Sequence, residues 1–223
     1  MKREKMFRKL IFAIAILFIS GQMSFAQSEN GLDEESDAIL KELAAKYKDY
    51  KAIETTVEYV IEYPEEEPIS IQLKVWLKGD MYKLERGTQI VMTDNKTMWN
   101  YLGDVQELQI NDYNEEDEMI KPSQVFDVYN EDYIYRLKEE YVADGKQIKV
   151  VELTPINKEQ SLFKIDLTIN TTDNELMGSK FYEANGTRYS YIIETLEAQD
   201  LSDDFFIFDK EKYVVEDEVD MRF

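Results

Sequence analysis

Val57-Glu58-Tyr59-Val60-Ile61-Glu62-Tyr63 runs into Pro64-Glu65-Glu66-Glu67-Pro68 and returns as Ile69-Ser70-Ile71-Gln72-Leu73-Lys74-Val75-Trp76-Leu77-Lys78. In the first run Val57, Tyr59, Ile61 and Tyr63 recur at every second position. In the second, Ile69, Ile71, Leu73, Val75 and Leu77 do the same. Successive side chains of an extended backbone point to opposite faces, so each run is a strand with one apolar face. The proline-bounded turn between them predicts an antiparallel hairpin.

Upstream the period changes. Ile39, Leu40, Leu43, Ala44 and Tyr47 repeat at spacings of three and four, which predicts an amphipathic helix over Glu34 to Lys48. Glu34, Glu35 and Asp37 open it and Lys46 and Lys48 close it, in keeping with the helix dipole. Downstream the alternation resumes in Met81 to Glu85, Gln89 to Thr93, Thr97 to Leu102 and Val105 to Ile110. Further strands are expected at Tyr133 to Tyr141, Gln147 to Thr154, Phe163 to Ile169, Leu176 to Tyr182 and Thr187 to Thr195, with a last one at Phe205 to Phe208. Gly79-Asp80, Asp94-Asn95, Asp144-Gly145 and Asn185-Gly186 fall between these runs, where hairpin turns need residues tolerant of positive φ. Pro122 fits the first position of a short central helix reaching Tyr129. The expected fold is mainly β, of the α+β kind. A single strongly curved antiparallel sheet of about eleven strands forms an incomplete β-barrel, with the two helices as its lid.

Composition narrows the chemistry. The 223 residues contain 47 acidic and 26 basic side chains, giving a formal net charge of −21, and no Cys or His. Without Cys there is neither a disulfide framework nor a thiolate nucleophile, and without His most zinc sites and the Ser-His-Asp arrangement are excluded. The negative charge argues against nucleic-acid binding. No phosphate-cradling glycine loop, GxSxG or HExxH stretch occurs. The acidic run Glu115 to Glu118 reads as a solvated loop rather than a catalytic pair or metal site. No catalytic residue, metal or cofactor is expected.

Residues 1–26 read as a secretory signal peptide. Lys2, Arg3, Lys5, Arg8 and Lys9 precede a ten-residue apolar run, Leu10 to Ile19, and Ser24-Phe25-Ala26 fits a cleavage site before Gln27. The apolar run is half the roughly 20 residues a spanning helix needs. Removing five basic residues and Glu4 takes the formal charge from −21 to −25. A polar leader, 27–32, would then precede one domain, 33–223. No Cys follows the apolar run, so an exported soluble chain is expected, in the periplasm of a Gram-negative cell. The 15 Tyr, 11 Phe, 9 Met and 2 Trp suit a sheet core and suit an adaptable apolar cavity equally well.

Several stretches, taken in order, resemble the periplasmic outer-membrane lipoprotein carriers, the LolA-like family. They are Val75 to Leu84, Asp94-Asn95-Lys96-Thr97-Met98-Trp99-Asn100-Tyr101, Asn185 to Tyr191, and Phe206-Ile207-Phe208 through Val215. The resemblance implies an incomplete barrel with a helical lid over an apolar cavity. It implies a monomeric chaperone, not an enzyme, that takes acylated lipoproteins from an inner-membrane lipoprotein-releasing ABC transporter. Delivery would be to the outer membrane or a receptor there. By position, Leu43, Tyr82, Leu84, Val125 and Phe126 would face the cavity with Trp99 nearby, and the expected lipid-binding set also takes in Ile90, Met92, Tyr129, Phe163 and Ile165. The family's lid-latching Arg is missing, since Gly79 follows Lys78, and Arg86 or Arg136 are the candidate replacements. The alternative is a periplasmic lipid-sensing or regulatory module on the same half-barrel; a hydrolase using Asp or Glu is the least favoured.

Overall fold

The computed structural model describes residues 33–114, 132–159 and 161–222. The chain enters through helix α1 (Glu34–Lys48) and then forms β1 (Ala52–Glu62), β2 (Ile69–Lys78), β3 (Met81–Arg86), β4 (Gln89–Thr93), β5 (Thr97–Leu102) and β6 (Glu107–Asp112). It continues as β7 (Tyr133–Ala143), β8 (Lys146–Pro155), β9 (Leu162–Asn170), β10 (Glu175–Glu183) and β11 (Arg188–Gln199), and ends in β12 (Asp217–Asp220). All twelve strands belong to one open sheet in the order β12-β6-β5-β4-β3-β2-β1-β11-β10-β9-β8-β7. The incomplete barrel with an N-terminal helix is therefore the fold. Residues 122–129, where the second helix was expected, lie outside the described residues.

The β1–β2 hairpin forms in the register that the alternation demands, with Ile53 opposite Leu77, Val57 opposite Leu73 and Ile61 opposite Ile69. A bulge at Thr56/Val57 shifts β1 against β11, which locally increases the strand's twist. Asp144 and Gly145 both take positive φ, 51° and 76°, the geometry a two-residue hairpin turn requires.

At the C-terminus one expected strand fails and one unexpected strand forms. Asp203–Phe206 is a 3-10 turn rather than part of a strand over Phe205 to Phe208; Phe206 and Phe208 are buried and Ile207 exposed, the alternation that suggested a strand, but these residues belong to no strand of the sheet. Asp217–Asp220 pairs parallel to β6, although its sequence, Asp-Glu-Val-Asp, lacks an apolar face. Backbone pairing forms it, including Glu216 N–H to the Gln106 carbonyl at 2.9 Å and Met221 N–H to the Ile110 carbonyl at 2.8 Å.

Candidate functional site: the apolar layer beneath helix α1

The cross-strand registers sort side chains onto two faces. One carries Val57, Leu73, Val75, Leu77 and Tyr82 from β1–β3, continues through Leu153, Ile165, Leu167 and Ile169 of β8 and β9, and packs against α1. Leu40 and Leu43 of α1 are completely buried there, each contributing about 1.5–3 kcal/mol by leaving water. This is the helix face.

Helix α1 is fastened at its two ends. Asp33 caps the helix, accepting from the Ser36 hydroxyl at 2.6 Å. It also ties the helix to β7, accepting from Leu137 N–H at 3.1 Å and donating its own N–H to the Tyr135 carbonyl at 3.4 Å. Burial pushes the Asp33 carboxyl upward, but the hydrogen bonds from Ser36 and Leu137 outweigh it and leave the pKa lowered. Glu35 pairs with Lys149 of β8. At the other end the Tyr47 hydroxyl accepts from Leu176 N–H at 2.9 Å, and Lys46 donates to the Asp173 carbonyl at 3.1 Å. Burial raises the Tyr47 pKa to about 12, so this contact stays neutral at ordinary pH. Between the fasteners the buried side chains of α1 are Leu40 and Leu43.

The helix face is larger than the helix. Beyond α1, Tyr59, Ile71, Leu84, Val91 and Tyr191 pack against the same core yet remain partly exposed. Tyr59 stacks on Tyr191 with centroids 4.8 Å apart and on Tyr189 at 6.3 Å, and Phe181 meets Tyr191 edge-on at 5.8 Å. Burial, then the neighbouring phenols, holds Tyr191 above the ordinary tyrosine range; burial and then Glu183 push Tyr189 to about 12. These phenols are therefore neutral across physiological pH, and the Tyr189 hydroxyl donates to the buried Glu183 carboxylate at 3.2 Å. At the other end a cleft of about 210 Å³ opens between Tyr47, Tyr50, Leu176, Ile193 and Leu196. That is below the roughly 300–1,000 Å³ of small-molecule pockets, and Lys46, Lys146, Glu175 and Glu194 also line it.

The structure brings some of the expected residues together and separates others. Leu43, Tyr82 and Ile165 share the buried helix-face core with Leu84 at its margin. Ile90, Met92 and Trp99 do not join them. Met92 is opposite Lys83 and Trp99, and Ile90 is opposite Glu85 and Tyr101, which places all three on the opposite face. There they form a second cluster with Tyr101, Leu108, Ile110 and Phe208. β4 is apolar at three successive positions, Ile90-Val91-Met92, so Val91 rather than its neighbours looks toward the helix. Phe163 is half exposed at the start of β9. Val125, Phe126 and Tyr129 lie outside the described residues. Arg136 cannot latch the helix, because it sits on the opposite face and pairs with Glu152 at 2.6 Å. Arg86 lies on the helix face, exposed at the end of β3. Sequence reading passed over Asp33 and Lys149 as fasteners and Tyr59, Ile71, Tyr189 and Tyr191 as layer residues. Their alternation was the available signal.

The opposite-face cluster is covered by the segment after β11. Phe208 stacks on Tyr213 at 4.8 Å, Phe205 lies 5.7 Å from Trp76, and the Tyr101 hydroxyl donates to the Val214 carbonyl at 2.8 Å. Lys78, expected beside the latch, instead binds this segment through the Leu201 carbonyl and Asp203, both at 2.7 Å.

An open sheet with an apolar face under an end-fastened helix defines a lidded half-barrel. Residues 82–209 match the family of the outer membrane lipoprotein carrier protein LolA, more than half of the chain, and the chain belongs to that family. No curated protein sequence matches it. Among solved structures, an uncharacterized conserved protein from Thermus thermophilus is 13% identical, with TM-score 0.51 over 85% of this chain and 99% of that one. A LolA superfamily protein from Nitrosomonas europaea is 15% identical, with TM-score 0.41 over 78% and 97%. A complex of MucA and MucB from Pseudomonas aeruginosa contains a chain 17% identical, with TM-score 0.43 over 79% and 62%. At these identities the Thermus likeness speaks for the fold. Among the described residues no helix is long and apolar enough to cross a membrane, and no cluster of acidic side chains is placed to hold a metal ion. The family is one of carriers, and binding is what the apolar layer can do chemically.

Proposed function

We propose that this protein carries acylated lipoproteins between the inner and outer membranes of a Gram-negative periplasm, with the acyl chains lying against the helix face once α1 lifts. One observation carries the reading: a continuous apolar face, extending past its cover, held under a helix whose polar ties sit at its two ends. Burying acyl chains contributes about 0.8 kcal/mol per CH₂, so a lipid of three chains has tens of kcal/mol opposing its passage through water. A carrier supplies an equivalent lining and exchanges α1 for the cargo. The cargo arrives from the inner-membrane lipoprotein-releasing ABC transporter and leaves at the outer membrane or a receptor there. Residues 1–26 act as the export signal, and the carrier works as a monomer. No nucleotide-binding motif occurs in the sequence, so directionality comes from partners and relative affinities.

The test is titration of the purified chain with a triacylated lipopeptide, beside mass spectrometry of what co-purifies from periplasm. Saturable binding that tightens with acyl-chain length, with a negative heat-capacity change, is expected. A well-folded, delipidated chain that takes up no acyl chain of any length would end the proposal.

A further inference from the structure

The opposite face carries a second feature over β7 to β11. Direct cross-strand partners share a face, and the registers set Arg136 beside Glu152, Glu152 beside Asp166, and Asp166 beside Lys180. On the adjoining rung Lys164 stands beside Tyr182, and Tyr182 beside Arg188, which meets Glu62. Their chain neighbours Val151, Ile165 and Phe181 belong to the helix-face core, so these side chains point away from α1.

Each carboxylate here serves two cations. Glu62 holds Lys180 at 2.8 Å and Arg188 at 3.5 Å. Asp166 holds Lys138 at 2.8 Å and Lys164 at 3.9 Å, and Glu152 holds Arg136 at 2.6 Å and Lys164 at 3.7 Å. Five cations against three acids leave a local excess of two positive charges, in a chain whose net charge is −21. The acids are sunk and the guanidiniums outermost: 7% of the Asp166 side chain and 13% of Glu152 are exposed, against 69% of Arg136 and 52% of Arg188. Further along β1 and β7, Glu58 and Glu139 border the patch, and Glu58 already accepts from the Ser70 hydroxyl at 2.5 Å. Lys158 and Glu159, in the β8–β9 connection, offset each other.

Aromatic and apolar groups interleave with the cations. Lys164 lies 3.9 Å and Arg188 5.7 Å from the centroid of the Tyr182 ring. Phe163 packs 6.3 Å from that ring and is half exposed, as is Ile134, two positions before Arg136 on β7. Tyr, Phe and Arg are the side chains enriched in protein–protein interfaces, and Tyr and Arg recur among their binding hot spots.

We propose that this face docks an acidic segment of a partner protein, whose carboxylates meet Arg136, Lys164 and Arg188 and whose apolar side chain covers Phe163. The docking does not depend on the carrier reading, because it uses the side of the sheet away from α1. An anionic bilayer fits less well. A flat surface broad enough to reach these cations also meets the surrounding acids that make the chain −21, whereas a narrow segment lies on the two rungs alone.

The experiment is fluorescence anisotropy of a labelled peptide of glutamate pairs alternating with single leucines, titrated with the full chain at low and high salt. Saturable binding is expected at low salt and several-fold weaker binding at high salt, since exposed charges are screened. The variant Lys180→Gln/Arg188→Gln, with its melting temperature checked, should bind about tenfold less tightly, and Phe163→Ser several-fold less. Arg136→Gln, on an edge strand, repeats the test should the double variant unfold. Lys51→Gln/Lys212→Gln removes the same charge from exposed sites elsewhere and should bind like the parent. Absence of saturable binding at low salt, an equal loss in Lys51→Gln/Lys212→Gln, tighter binding of the matching lysine peptide, or flotation with phosphatidylglycerol vesicles in place of peptide binding would each overturn the docking.

Discussion

The same sheet has an apolar patch on each face, and the two are covered in different ways. On the opposite face the cover is stitched along its length: aromatic rings interlock from Phe205 to Tyr213, Lys78 grips its start, and β12 joins the backbone ladder. On the helix face, α1 contributes side chains to the core without joining the backbone ladder, and it is tied near its two ends by Asp33, Glu35, Lys46 and Tyr47. The difference is between a seam and a clasp. Opening the first means dismantling part of the sheet; opening the second means breaking a few hydrogen bonds and exchanging one apolar surface for another.

The largest expected effect falls on the seam. Phe206 is completely buried, and Phe206→Ala should cost about 3–5 kcal/mol of unfolding free energy by denaturant titration. Per folded molecule, lipopeptide binding should not change; a matching loss of binding would mean that both covers serve one site. Leu43→Ala in the clasp should cost about 2–4 kcal/mol and should speed lipopeptide uptake. If stability falls and uptake does not rise, α1 is fixed core.

Finer effects come from the ties. Tyr47→Phe strands the Leu176 N–H and should cost about 1–2 kcal/mol, read as faster hydrogen exchange in α1 with exchange in β4 to β6 unchanged. Asp33 has a lowered pKa, so its stabilisation is in place above the unfolded value, near 3.8, and is lost as pH falls through the lower folded value. Acidification should therefore loosen the α1–β7 tie. Asp33→Asn keeps a capping residue and should flatten that response; an equally steep response would assign it to other carboxylates. The smallest expected effect is none: Trp76 and Trp99 both lie on the opposite face, so cargo beneath α1 should leave tryptophan emission unchanged, and a saturable change would place the lipid on the seam side.

The helix, the first hairpin and the Asp144-Gly145 turn were legible because in each a local period or a φ requirement acts alone. The assignment of faces was not. Ile90, Val91 and Met92 are all apolar, and a shift of one residue sends every side chain of a strand to the other face, so only register with β3 and β5 shows that Val91 looks toward α1. β12 was illegible for a different reason: its four residues pair through backbone and carry no hydrophobic pattern at all. The ties of α1 were hidden because Asp33 and Leu137 are 104 positions apart in the chain, and a capping Asp gives no hint of a second partner.

An unclosed barrel leaves two raw edges, and here each is blunted by acid. β12 lays Asp217, Glu218 and Asp220 along β6, and like charges resist pairing with another copy. On β7, Asp33 occupies the Tyr135 carbonyl and the Leu137 N–H, outward groups that a foreign strand would need. If α1 lifts for cargo as proposed, the same movement unmasks these edge groups of β7. A long-lived open state would invite self-assembly, which favours brief opening, with cargo at hand to end it.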